Sequence, residues 1–349
     1  MKIALVTGPC PQGVCGVGDY TACLSDALAA RGVGVRMVVS GDWRVVGALR
    51  VHDNLKDCDL VHIQYPSLGF GYRLGPQALS LLRNCVVTIH EASQRRILRK
   101  LSLLPFMVRP KHVIFTSEFE RRFVTKWVPW ISRISSIIPV PSNIRVFPQE
   151  RQRTLSEIVH FGLILPGKGL EEVVELSRLI KSAGSALKVR IIGRSRPERM
   201  EYFERLRSET AELPVIWDLN LSKEQVAERL ASSAVAYFPF PDGASERRSS
   251  LKAALANGVA VVTVLGSHTP EAMKSFLRFS RSPQEALVIA RSLLDGLQER
   301  TKLAKSAALY LQQSTWDRVA ELHLATYRSL LCSEPRSAAI TVKGAQEEP

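Results

Sequence analysis

The chain lacks any run of apolar residues long enough to cross a bilayer, so no segment is expected to span a membrane. It lacks paired cysteines. The six, Cys10, Cys15, Cys23, Cys58, Cys85 and Cys332, are scattered with no C-x-x-C spacing, which argues against a disulfide framework and for a reducing compartment. Cys58 and Cys85 adjoin apolar runs and are expected to be buried free thiols. The apolar opening from Met1 to Val6 is cut off by Thr7-Gly8-Pro9 and is too short for a signal-peptide core. Zinc-finger, ribonucleoprotein and basic-zipper patterns are missing, so no nucleic-acid partner is expected. The chain is therefore expected to be cytoplasmic, either soluble or peripheral at the cytoplasmic membrane face. Acidic residues are also short: 33 Asp and Glu against 47 Lys and Arg leave a net charge of +14.

What is present describes a globular protein. Hydrophobic residues make up 46% and charged residues 23% of 349 positions, which excludes bulk disorder. That length corresponds to two domains at roughly 150 residues each. The basic excess is concentrated between Arg95 and Arg133, where ten basic residues face only Glu118 and Glu120. The same segment carries Leu101, Leu103, Leu104, Phe106, Met107, Val108, Trp127, Trp130 and Ile131. Basic and apolar side chains together suit peripheral contact with an anionic membrane. A solvated basic helix with its apolar side in the core is the equal alternative.

Short apolar runs alternate with helical patterns throughout. Strands are predicted at 2–7, 34–39, 60–64, 86–90, 113–116 and 137–140, with helices at 19–31, 76–83 and 117–126. The rhythm restarts at 158–163, with later strands at 188–192, 214–217, 235–240 and 259–264. Helices are predicted at 168–182, 196–208, 223–232 and 250–256, from 283, from 299 and at 316–331. Buried strands alternating with helices imply an α/β architecture: two doubly wound, Rossmann-like parallel sheets with a cleft at their carboxyl edges. The boundaries read as 1–150, 151–315, a last helix over 316–331 and a disordered tail over 332–349.

Four stretches carry chemistry. The first loop, Pro11 to Thr21, spaces Gly13, Gly16 and Gly18 as G-x-x-G-x-G before a helix, neither a dinucleotide fingerprint nor a Walker loop. Bare backbone there can approach an anion, and a tight strand-to-helix turn explains the glycines equally. His90-Glu91 follows a strand and falls at the sheet's carboxyl edge, where a capping or core role is the alternative. Phe161 to Gly169 puts Lys168 at a strand-to-helix turn, a place the helix dipole disfavours for a lysine unless an anion is bound. Phe240 to Leu251 packs Asp242, Arg247, Arg248, Ser249 and Ser250 immediately before a helix, a strong anion-binding combination.

In this order, with Val61-His62-Ile63-Gln64-Tyr65-Pro66 and the helix opened by Trp316, these motifs resemble the retaining GT-B-fold glycosyltransferases. The likeness is to the large family-4, group-1 type that includes sucrose and bacterial mannosyl transferases. It covers nearly the whole chain. It implies hexosyl transfer from a nucleotide sugar to a saccharide or lipid-linked saccharide, as in polysaccharide or glycoconjugate biosynthesis, without an obligatory metal or cofactor. By this resemblance Gly16 and Gly18 lie beside the donor phosphates. Lys168 holds the diphosphate, and the helix start at Ser249, Ser250 and Leu251 binds diphosphate and ribose. His90 contacts the transferred sugar, Asp242 stands in for the first family glutamate, and Asp19, Tyr20 and Glu91 face the acceptor. The last helix crosses back onto the first domain.

Three departures accompany the resemblance. Leu163 replaces an arginine, a role Arg247 or Arg248 would have to assume. The two glutamates, with seven residues between them, become Ala244 and Lys252, and a lysine cannot accept hydrogen bonds from a ribose diol. The stretch instead resembles a branch that replaces that glutamate pair altogether. Asp57-Cys58-Asp59 looks like the D-x-D of some metal-dependent sugar transferases but precedes its strand, so it is expected to face away from the cleft. A non-catalytic binding or partner subunit on the same fold is the alternative reading, followed by a nucleotide-dependent sugar epimerase.

Overall fold

The computed structural model describes residues 1–9, 15–93 and 100–332. Twelve strands form two six-stranded sheets whose registered pairs all run parallel. The first contains β1 (Lys2–Thr7), β2 (Gly34–Val39), β3 (Leu60–Tyr65), β4 (Val86–Ile89), β5 (His112–Phe115) and β6 (Ser135–Ile137), in the order β2-β1-β3-β4-β5-β6. The second contains β7 (Thr154–Ile164), β8 (Lys188–Ser195), β9 (Val215–Leu219), β10 (Ser233–Phe238), β11 (Ala260–Thr263) and β12 (Leu277–Phe279), in the order β12-β11-β10-β7-β8-β9. Strand order reverses between β1 and β3 and between β7 and β10. Each reversal opens a crevice at the carboxyl ends, where ligands bind in such sheets.

The near-continuous apolar strands follow from burial on both faces. In β1, Ala4 and Val6 pack with Trp43, Leu79 and Phe106, whereas Ile3 and Leu5 pack with Tyr20, Leu24 and the last helix, Trp316–Cys332. That helix buries Val319, Ala320, Leu324 and Tyr327 against the first sheet, so the chain does return to its first half. Trp316 fixes the crossing: its Nε1–H donates to the Ser142 carbonyl at 2.8 Å, and its ring lies 5.3 Å from Tyr20.

Several predicted boundaries change. The first helix is Gly16–Ala29, not 19–31, so Gly16 and Gly18 belong to its first turn and not to a loop before it. The strand expected at 137–140 is Ser135–Ile137 and ends before Pro139, which has no N–H for a ladder. Sequence periodicity missed the helix Val45–Asp53, whose Val45, Val46 and Leu49 face solvent while the preceding Trp43 is buried. Cys332, predicted to open the tail, ends the last helix instead; residues 333–349, Cys10 with residues 11–14, and residues 94–99 of the basic segment lie outside the described residues.

Candidate active site

Both switch points open onto one cleft with two lobes. The larger, about 870 Å³, runs from the β3 exit and the turn Leu68–Phe70 to Lys168, Arg247 and Arg248. The smaller, about 590 Å³, lies over the carboxyl ends of β7, β8 and β9, with Gly162, Leu163, Gly193, Arg194 and Asn220 in its wall. Gly16, Asn143, Lys168, Arg247, Arg248 and Ser249 line both. Gly16 leaves open space where a Cβ would stand, so its backbone is bare to the cleft. Gly18 lines neither lobe, while Asp19 lines the smaller and Tyr20 and Glu91 the larger.

The second-domain wall is cationic. Gly169, at φ +83°, turns the chain from β7 into the helix Leu170–Ser182, and a Cβ there would lie 2.0 Å from the Pro239 carbonyl oxygen. Only glycine permits that approach, and it places Lys168 at the lip of the cleft. Desolvation, then the charge of Arg248, pulls the Lys168 ammonium below its ordinary range; Glu91 opposes this, and Arg196 adds the smallest downward pull. Arg248 is depressed by its own burial; it forms an ion pair with Asp242, and its guanidinium lies 4.5 Å from the Phe240 ring centre. The helix Ser249–Ala256 follows directly. The bond from the Lys252 N–H to the Arg248 carbonyl at 3.1 Å starts its ladder, so the amides of Ser249, Ser250 and Leu251 precede it. The Leu251 side chain is buried in the second-domain core, leaving its backbone as the group that can face a ligand. Asp242 is drawn to Arg248 and is absent from the described walls of both lobes.

On the first-domain wall, His90 Nε2 lies 2.8 Å from Gln64 Oε1 and its ring meets Tyr20 edge-on at 4.8 Å. Burial lowers the His90 pKa to about 3, so the imidazole is neutral at physiological pH. Gln64 extends the contact inward, its Nε2 3.2 Å from His62 Nε2. His62 Nδ1 lies 2.6 Å from the Tyr327 hydroxyl on the last helix. A buried polar chain thus ties the cleft histidine to the returning helix.

Sequence reasoning missed Glu120. It is fully buried at the start of the helix Glu118–Thr125 and accepts from the Ala92 N–H (2.8 Å), the Ser93 N–H (3.0 Å) and the Ser93 hydroxyl (2.7 Å). Across the cleft it takes Arg247 Nη1 at 2.8 Å; Glu91 is 3.9 Å from the same nitrogen. One carboxylate therefore joins the loop after His90 to the segment before Ser249. The sequence signal was an acid beside a basic run, indistinguishable from an ordinary helix-start residue.

No family model matches the chain, and no curated protein matches it. Solved structures do. A glycosyltransferase from Rickettsia africae is similar with a TM-score of 0.71 at 12% identity, over 95% of this chain and 99% of that one. HepE from Anabaena, in complex with UDP and glucose, is similar with a TM-score of 0.70 at 13% identity, over 94% and 100%. Sucrose-phosphate synthase from Thermosynechococcus elongatus gives 0.71 at 15% identity, over 96% and 100%. The chain has the GT-B fold.

Within that GT-B frame the departures acquire physical accounts. Leu163 lines the smaller lobe, so the missing arginine leaves an apolar patch there. Lys252 is 2% exposed and lines neither lobe; it donates from Nζ at 2.6 Å to the carbonyl of Val140, a residue of the larger lobe's wall. Desolvation brings its pKa down to about 8. The position where the resemblance places a second glutamate is thus a tie between the two halves of the chain. Ala244 is buried, its N–H bonded to the Val264 carbonyl. Asp57 and Asp59 lie at the amino edge of β3, where Asp57 pairs with Lys2 and Arg36, well away from the cleft as expected.

Proposed function

We propose that this chain transfers a sugar from a nucleotide-sugar donor to a hydroxyl of a saccharide. The carrying observation is the cationic junction of the two lobes, where Lys168, Arg248 and the start of the helix Ser249–Ala256 converge beside a nucleoside-sized recess. Such an arrangement suits a diphosphate, and a positive wall stabilises the charge that grows on it as the glycosidic bond breaks. HepE, whose complex contains UDP and glucose, offers a fold-level parallel. The nucleoside is assigned to the smaller lobe, with Arg194 and Asn220 at its wall.

Retention of configuration is proposed as well, with the leaving phosphate accepting the acceptor's proton. The larger lobe is poor in bases: His90 has too low a pKa to take a proton efficiently at neutral pH, and Glu91 lies near Arg247. His90 is assigned to hydrogen-bond the transferred sugar. Asp242, which pairs with Arg248, is assigned to orient that guanidinium beside the transferred sugar. Side-chain cations are assigned the role a divalent ion would otherwise fill, so turnover is expected to survive a chelator. The test is release of nucleoside diphosphate from a panel of nucleotide sugars, with and without EDTA. The reading expects release from at least one donor and its loss in Lys168→Ala. Release unaffected by that substitution, or absent with every donor, contradicts it.

A cytoplasmic, membrane-peripheral location belongs to the same proposal. No described helix is long and apolar enough to cross a membrane. In the described part of the basic segment, Leu103, Phe106, Met107 and Ile131 enter the core, while Leu101, Leu104, Val108, Trp127 and Trp130 face solvent. The Trp130 Nε1–H bond to the Met107 carbonyl (3.3 Å) sets that ring beside the helix Leu104–Val108, and Lys100 lies over the Phe123 ring (4.8 Å). Exposed aromatic and basic groups together suit anionic lipid. Flotation with anionic vesicles is expected to carry the protein and to lose it on Trp127→Ser with Trp130→Ser. Equal flotation of the double variant removes this part.

A further inference from the structure

The returning helix reaches the cleft by two routes that converge on one ring. Trp316, its first residue, packs on Tyr20, whose ring meets His90 edge-on. Farther along the same helix, Tyr327 meets His62, His62 meets Gln64 and Gln64 meets His90, at 2.6, 3.2 and 2.8 Å. Tyr327, His62 and Gln64 are each 0% exposed, and His90 is the member of that chain that lines the larger lobe. Burial keeps both imidazoles neutral, since it lowers His62 well below its ordinary range as it does His90. Packing alone does not call for three buried polar groups in series, each costing about 1–3 kcal/mol if its partner is lost.

A neutral imidazole carries one proton, and the hydrogen bond made by one nitrogen decides where it sits. The Gln64 amide turns its oxygen to His90 and its nitrogen to His62. An amide oxygen only accepts, so His90 Nε2 carries the proton and its Nδ1 is bare. An amide nitrogen only donates, so His62 Nε2 is bare and its proton sits on Nδ1, shared with the Tyr327 oxygen. The Thr88 hydroxyl, 2.7 Å from His62 Nε2, is a second donor to that nitrogen. Without the Tyr327 oxygen the His62 proton loses its acceptor. It then moves to Nε2, where the Thr88 oxygen can accept it, and the Gln64 amide nitrogen is left facing another donor. Turning the amide over relieves that conflict and passes it on, because the proton of His90 must then shift to Nδ1.

We propose that Tyr327 is a positioning residue for glycosyl transfer: through His62 and Gln64 it holds His90 in the tautomer whose Nδ1 is bare, so the ring nitrogen left for the transferred sugar accepts a hydrogen bond from a hydroxyl. This deepens the glycosyl-transfer reading, on which it rests for the sugar; the tautomer itself does not depend on that reading. A nitrogen that can only accept selects a hydroxyl over an ether, a carbonyl or a carboxylate at that point of the sugar. The last helix thereby shapes the site although none of its residues lines either lobe.

The test is long-range proton–nitrogen NMR of the histidine rings in the full chain without ligand, with His90 assigned by the loss of its signals in His90→Asn. The wild type is expected to carry the His90 proton on Nε2. Tyr327→Phe, which removes one oxygen and keeps the ring, should shift the tautomer ratio about tenfold or more toward Nδ1. Unchanged signals from His112 and His160 show that both halves are folded. Leu324→Ala removes buried packing from the same helix but no hydrogen bond, so it should leave the His90 signals as in the wild type. Turnover is then measured as diphosphate release from UDP-glucose, UDP-N-acetylglucosamine and GDP-mannose. For a donor the wild type uses, Tyr327→Phe should lower kcat about tenfold with KM nearly unchanged, since the His90 contact is assigned to the transferred sugar. A proton on Nδ1 in the wild type, a tautomer that Tyr327→Phe leaves in place, an equal shift in Leu324→Ala, or a shifted tautomer with unchanged kcat overturns the proposal. A Tyr327-dependent tautomer in a protein that turns over none of the donors keeps the relay and removes the glycosyl-transfer reading instead.

Discussion

The two walls of the cleft solve opposite electrostatic problems. The second-domain wall gathers Lys168, Arg196, Arg247 and Arg248, whose mutual repulsion is relieved from within the protein by Asp242 and Glu120. The first-domain wall is nearly neutral, with a depressed histidine and aromatic rings. One surface has an excess of positive charge and the other is largely aromatic and uncharged. The difference teaches that a single cleft can carry two recognition chemistries, and that Glu120 holds them together by reaching across it.

Several perturbations break or sharpen that contrast. Lys168→Ala removes a charge from the cationic wall alone. It should lower the transfer rate 10²–10³-fold, roughly 3–4 kcal/mol of charge stabilisation. Glu120→Gln keeps the shape but removes the charge that joins the walls. Denaturant unfolding should show a loss of about 1.5–3 kcal/mol, the range for hydrogen bonds to charged groups. A stability equal to that of the wild type would mean the contact is incidental.

Lys252 offers a smaller effect with a definite sign. Its folded pKa of about 8 lies below that of a free lysine near 10.4, so the folded state releases the proton first. The burial penalty is full below pH 8 and is relieved between pH 8 and 10.4, so stability should rise with pH in that window. Lys252→Met should flatten the rise relative to the wild type in paired unfolding curves. The smallest effect is an absence: His90 stays neutral well below pH 5, so the transfer rate should show no limb near pH 6.5. A limb there that His90→Asn abolishes would show the imidazole titrating.

Sequence patterning carried most of the architecture because the central strands of both sheets are buried on both faces, so β1, β3, β4, β10 and β11 appear as mostly apolar runs. The helix Val45–Asp53 escaped because its exposed apolar face breaks the usual polarity pattern. At the site, Lys168 and the Arg247–Leu251 segment were legible as charges and hydroxyls at helix starts. Glu120 was not, since it acquires meaning only from a partner far away in sequence. Gln64 and Tyr65 stood inside a motif whose order was informative, but their contacts with His90 and Gln77 arise only when β3, β4 and the helix Gly75–Leu82 meet. Lys252 was legible as a departure, and only its burial against Val140 explains it.

The central claim is that the cationic junction is a diphosphate site, and thermal unfolding with nucleoside diphosphates tests it most directly. At 100 times its dissociation constant a ligand stabilises the fold by about 2.7 kcal/mol, a readily measured rise in melting temperature. The account predicts that one nucleoside diphosphate raises it and that Lys168→Ala abolishes the rise. A rise that survives Lys168→Ala, or none with any nucleotide, would contradict it.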